Sequence, residues 1–239
     1  MAKQTGIVLF TGKLENQVGY RRNGNYFIRA MAQTVRQTSA TRRSAREFGM
    51  ASQKGKLIRH AISPLLDMIP DNTCVNRLNK ALIKAGNNRL QDLAGFRFNR
   101  HTPVSQFFCR QPQLTPAGSW DIPAQELLSQ GSATHLHLTA IAVRISFIQR
   151  RIISSRTSTV TIDLHKPFNG VILDNHLRGN GALLHVLQII TSEDGAILAN
   201  RRNSAADIMH VVPAITAKQK IAKTLTVSTV PDQVHVTST

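Results

Sequence analysis

Arginine supplies most of the chemistry this sequence can offer. Arg21, Arg22 and Arg29 flank a short turn, and Arg36, Arg42, Arg43, Arg46, Lys54, Lys56 and Arg59 follow before residue 60. A planar guanidinium with a fixed donor fork fits phosphate or carboxylate oxygens better than the point charge of lysine does. These ten side chains are therefore the candidate contacts for a polyanion, with nucleic acid first among the possibilities. If six of them neutralised phosphates, binding would fall with log salt at a slope of roughly −5. The bland reading is a basic surface that docks on acidic neighbours within a homopolymer or a host assembly. Base-specific recognition is not indicated, because the sequence contains no helix-turn-helix, zinc-finger or ribonucleoprotein aromatic motif.

Other chemistries find little to work with. His135 and His137 flank Leu136 in a strand pattern, so both imidazoles point to one face and could share a metal, but no third ligand follows at metal spacing. Two polar-face histidines is the better expectation. His165, His176, His185, His210 and His235 occur singly. Gly179-Asn180-Gly181 lacks the Lys-Ser or Lys-Thr of a phosphate loop and reads as a hairpin turn. We find no nucleophile placed beside a base in the sequence, no zinc-protease helix, and only 13 carboxylates scattered along the chain. Cys74 and Cys109 form neither a disulfide framework nor a zinc module, so both are expected as buried free thiols. The expectation is a protein without catalytic activity, cofactor or metal.

Charge strengthens the polyanion reading. The 239 residues are 41% hydrophobic, enough for a real core, yet carry a formal charge of +17 and a pI near 11.2. Residues 1–110 hold 19 Lys and Arg against Glu15, Glu47, Asp67, Asp71 and Asp92, whereas residues 111–239 hold 11 against eight acids. The field thus belongs to the front of the chain. MAKQTGIVLF is too short an apolar run for a secretory segment, and no stretch is long enough to span a membrane. The cytoplasm, or the inside of an assembled particle, is the expected location.

Periodicity places these residues on elements. Asn23-Gly24 between 18–22 and 25–29 predicts a hairpin with a type I′ turn, which would gather Tyr20, Arg22, Tyr26 and Ile28 with Arg21 and Arg29. A helix is predicted from Ser39 or Thr41, with Phe48, Ala51, Gly55, Ile58 and Ile62 at helical spacing and Pro64 as its end. A second helix follows Pro70-Asp71, with Val75, Leu78 and Leu82 on one face and Gly86-Asn87 as its stop. Residues 111–133 are rich in Pro, Gln, Ser and Gly, contain the one tryptophan, and read as a linker lying against a domain. Strands are then predicted at 136–147, 157–164, 183–190, 208–212, 225–230 and 234–236, separated by Asn-Gly and Asp-Gly turns. The expected class is α+β: a basic hairpin and helix domain over 1–110, the 111–133 linker, and a β-sandwich-like antiparallel domain over 134–239.

The blocks MAKQTGIVLFTGKLENQVGY, NGNYFIR, TRRSAREFGMASQKGKLIRHAISPLL, RLQDLAGFRFN and GSATHLHL carry a resemblance, in matched order over about the first 140 residues. There the chain resembles a family of uncharacterised proteins found widely in Bacteroidetes bacteria, with a basic N-terminal hairpin and helix region and a β-rich C-terminal half. No activity, cofactor or catalytic residue comes with that family. The resemblance implies a bacterial, non-secreted, non-enzymatic protein linked to a mobile element or a particle. Two functions are consistent with the residues. One is a structural protein that holds nucleic acid non-specifically through its basic half. The other is a self-assembling filament, shell or virion-like subunit, a homo-oligomer in which an N-terminal strand completes a neighbour's sheet and only protein contacts are made.

Overall fold

In the computed structural model, residues 2–32, 37–86, 89–127, 131–198 and 200–214 are described. Arg36, Asn87, His235 and the strands expected at 225–230 and 234–236 lie outside them. Chain contacts divide the protein into two units, Met1–Arg46 and Glu47–Thr239.

The first unit is built on a four-stranded antiparallel sheet of β1 (Ala2–Lys3), β2 (Gly12–Leu14), β3 (Gln17–Arg22) and β4 (Asn25–Ala30), ordered β1-β4-β3-β2. Asn23 and Gly24 take φ values of 49° and 79°, both positive as a type I′ turn requires. Gly19 in β3 has a second reason to be glycine. A Cβ there would lie 2.4 Å from the Phe10 carbonyl oxygen and 2.8 Å from its ring, so the missing side chain is what lets Phe10 lie against this face. Gln4 fixes the same segment: its amide donates to the Phe10 and Phe27 carbonyls at 3.1 and 2.8 Å and accepts from Phe10 N–H at 3.0 Å. Gly19→Ala is expected to cost about 1–3 kcal/mol by overpacking, read as faster amide exchange in β3 and β4. Unchanged protection would mean that Phe10 does not pack there.

Helix α1 (Ser39–Ile62) begins in this unit. Its capping hydroxyl is that of Thr38, ahead of the expected Ser39 or Thr41, and accepts from Thr41 N–H at 3.1 Å. Every residue from Ser39 to Phe48 is exposed. The buried stripe therefore starts later than the apolar spacing predicted. Phe48 is 55% exposed, and the stripe runs through Ala51, Gly55, Ile58, Ala61 and Ile62.

Those last residues belong to the second unit. Pro64, which cannot continue a helical hydrogen-bond ladder, sits in a 3-10 turn at Ser63–Leu65. Helix α2 (Cys74–Ala85) buries Leu78, Asn79 and Leu82, leaves Val75 exposed, and is closed by Gly86 at φ 64°. Gly55 allows the two helices to meet, since a Cβ there would lie 2.6 Å from Asn79 Oδ1 and 3.3 Å from Leu82 Cδ1. Of the two thiols, Cys74 is buried and Cys109 is exposed, so the expectation of two buried cysteines holds for one.

The rest is antiparallel β-structure: β5 (Gln113–Leu114), β6 (Trp120–Ile122), β7 (His135–Ser146), β8 (Arg151–Asp163), β9 (Val171–Leu173), β10 (Ala182–Glu193), β11 (Ala196–Ile197) and β12 (Ser204–Val212). Strands β8, β7 and β10 run side by side, with β11 and β12 both pairing with β10, and β5-β6-β9 form a smaller sheet. Alternation then sorts the large sheet's side chains into two cores. Ile141, Val143, Leu184, Val186 and Ile208 pack with α1 and α2. Leu136, Leu138, Leu187 and Ile189 pack with Trp120, Ile122 and Leu173 of the small sheet and with the 3-10 turn Val104–Phe107. The fold is α+β with antiparallel sheets.

Domain organisation differs from the reading by composition. Residues 111–133, expected as a linker lying against a domain, include β5 and β6, and Trp120 and Ile122 are 2% and 0% exposed. Strands of two or three residues are held by pairing across the sheet, so local composition still looks like a loop. The contact boundary falls after Arg46, not after residue 110, because the apolar faces of α1 and α2 are buried on the large sheet.

Candidate nucleic-acid interface

Register decides which of the first unit's side chains share a face. In the β3–β4 pairing, Tyr20 stands opposite Phe27, Val18 opposite Arg29 and Arg22 opposite Asn25. On the outer strands Lys3 pairs with Phe27 and Lys13 with Val18. Because paired residues point the same way and alternate residues share a side, one face carries Lys3, Lys13, Arg22 and Arg29 around a Tyr20–Phe27 pair. The two rings lie 5.8 Å apart at 25° to each other. All four cations are exposed, and among the described residues none of them makes an ion pair.

The other face is occupied differently. Arg21 pairs with Tyr26 and lies 5.5 Å over its ring, while Phe10 covers Gly19. The hairpin arginines are therefore split, with Arg22 and Arg29 on the open face and Arg21 behind it. Residues 1–46 hold nine Lys and Arg against one acid, Glu15, which sits in the β2–β3 turn. Arg42, Arg43 and Arg46 project from exposed turns of α1, and Arg42 and Arg46, four apart, share a side of it.

Three further residues from the sequence reading lie in the second unit, and only one is fully presented. Lys56 is exposed. Lys54 is partly buried, donates to the Gly86 carbonyl at 3.4 Å, and has its pKa lowered by that burial. Arg59 is also partly buried, and its Nη1 is enclosed near Gly55. Lys3, Lys13 and Phe27 were not picked out by sequence. Their signal exists only in the pairing of two- and three-residue strands with the hairpin.

The second unit also holds polar arrangements that could resemble catalytic sites. His137 Nε2 lies 2.8 Å from Ser192 Oγ and its Nδ1 lies 3.0 Å from Thr161 Oγ1. Ser192 is 1% exposed and the third partner is a hydroxyl, not a carboxylate, so the group reads as a cross-strand hydrogen-bond ladder. His135 bonds instead to Thr134 at 2.9 Å. Among the described residues no three His, Cys, Asp or Glu gather as metal ligands.

A cavity of about 630 Å³ is lined by Asp67, Met68, Asp71, Asn99, Arg201 and Ser204 among others. Its Asp67, Asp71 and Asn99 side chains are engaged in holding the fold. Asp71 pairs with Arg77, and although burial raises its pKa, hydrogen bonds from Thr73, Arg100 N–H and Arg77 outweigh this and hold it at about 2. Asn99 donates to the Arg201 and Ser204 carbonyls at 2.7 and 2.6 Å, and Asp67 accepts from Gln188 Nε2 at 2.9 Å. Among the described residues no helix is long and apolar enough to cross a membrane. No protein-family model, curated protein or solved structure matches the chain.

Proposed function

We propose that this is a non-enzymatic structural protein that binds nucleic acid non-specifically through its basic N-terminal part, while the β-rich unit makes protein contacts. The observation that carries the reading is the sheet face on which the exposed Lys3, Lys13, Arg22 and Arg29 converge without a carboxylate among them. Isolated surface cations are neutral decoration, but four on one face of a small sheet create a local positive potential that phosphates relieve. Arg42, Arg43 and Arg46 add to the charge of the same unit.

Protein purified without nuclease is expected to carry nucleic acid, seen as a raised ratio of absorbance at 260 nm to that at 280 nm. After stripping, its affinity for DNA or RNA should fall with log salt at a slope near −5 if about six phosphates are neutralised. The double variant Arg22→Gln/Arg29→Gln should make that slope shallower by about 1.5. Clean protein that assembles into salt-resistant polymers and ignores nucleic acid would overturn this reading in favour of a self-assembling subunit.

A further inference from the structure

Resting on the nucleic-acid reading above, we infer that the N-terminal sheet takes single strands, with bases stacked on Tyr20 and Phe27 and phosphates held by Lys3, Lys13, Arg22 and Arg29. Tyr20 and Phe27 are direct cross-strand partners, and their near-parallel rings occupy the middle of the basic face. Arg22 lies two residues from Tyr20 along β3, Arg29 two residues from Phe27 along β4, and Lys3 directly across from Phe27 on β1. Lys13 reaches the same face from β2, opposite Val18. The aromatic pair is thus bracketed by cations on several sides.

That arrangement separates strandedness. A duplex keeps the π-faces of its bases inside its own stack and offers a sheet only phosphates, so cations would suffice and two central rings would gain nothing. An unpaired strand offers both, and stacking a base on an aromatic ring is worth about 1–3 kcal/mol irrespective of which base it is. Aromatic groups on a sheet face, surrounded by basic side chains, therefore match an unstacked strand and need no base-specific hydrogen bonds. On the opposite face the Tyr26 ring lies under Arg21, and Phe10 is seated on Gly19.

The test is fluorescence anisotropy with a labelled oligothymidylate of about twelve nucleotides, within the usual range of such sites, against a duplex of equal length at the same salt. The wild-type protein should prefer the single strand by tenfold or more. Tyr20→Leu and Phe27→Leu should each weaken oligothymidylate binding about tenfold with an unchanged salt slope, while Tyr20→Phe should bind like the wild type. Lys13→Gln and Arg22→Gln should instead each make the slope shallower by about 0.7. Far-UV circular dichroism confirms that the leucine variants retain their strands. If aromatic variants bind normally, or duplex and single strand bind alike, the stacking proposal fails while the polyanion reading stands. If neither form binds with salt dependence, or if only vesicles of anionic lipid bind, both fail.

Discussion

Trp120→Ala is expected to lower the stability of the second unit by about 3–5 kcal/mol, the cost of deleting a large aromatic side chain from a closed core. Trp120 is 2% exposed and sits between the small sheet and the large one, edge-on to His185 at 6.2 Å between centroids. Its indole N–H is buried without a hydrogen-bond partner among the described residues. No hydrogen bond is therefore lost with it, and the whole cost arises from apolar transfer and the cavity left behind. Urea titration followed by far-UV circular dichroism measures this, since the variant has no tryptophan left to report by fluorescence. A change below about 1 kcal/mol would be too small for a core residue and would return residues 120–122 to the status of a surface loop.

Asp207→Asn is expected to stabilise the protein by about 3 kcal/mol at pH 7 and to leave it unchanged near pH 4. Asp207 is 6% exposed; one carboxylate oxygen accepts from Val104 N–H at 2.9 Å and the other is buried without a partner among the described residues. Burial pushes its pKa up to about 6, against the opposing pull of the Val104 N–H and of Arg97. The folded state thus keeps a proton that the unfolded chain gives up near pH 3.8. Stability is fully present below that pH and is lost as pH rises through 6, by about 1.4 kcal/mol for each pH unit separating the folded and unfolded values. Asparagine keeps an acceptor for Val104 and never acquires the charge.

His185 has the opposite linkage. It is 1% exposed, and burial, followed by the nearby charges of His210 and Arg144, brings its pKa down to about 4. Its contribution is present above the unfolded value of about 6.5 and is lost as pH falls through 4. In the wild type these two slopes nearly cancel between pH 4 and 6. Removing the acid should uncover the histidine as a loss of about 2 kcal/mol on acidification across that range. A stability difference between variant and wild type that stays constant from about pH 4 to 7 would sink the assignment.

The same local rules explain what sequence could and could not reveal. Asn23-Gly24 needs only two residues to specify its turn, and β7, β8, β10 and β12 are long enough for apolar runs and alternation to be read directly. Helix α1 is equally legible as a helix, but periodicity does not say where packing begins, so Phe48 is exposed although its phase fits the buried stripe. Leu114, Trp120 and Ile122 sit in strands too short to show a period. The candidate interface divides in the same way. Arg22 and Arg29 are visible as hairpin residues, whereas Lys3 and Lys13 join them through pairings between segments that have no pattern of their own. The proximity of His137 and Ser192 likewise depends on the β7–β10 register.

That register also governs how the chain can be made. Strand β10 is buried at every residue but Glu193, and it pairs on one side with β7, from Ile145 opposite Ala182 to His135 opposite Ser192, and on the other with β12. Strand β7 is not its neighbour in sequence, so a long loop must close before β10 can pair with the β7–β8 hairpin, which places folding on the millisecond-to-second scale. During synthesis the segment LLHVLQII leaves the ribosome before β12 exists to cover its second edge. A nascent chain halted in that interval displays a sticky, half-matched strand, making slow, cool expression with holdase chaperones the condition under which this protein is best obtained.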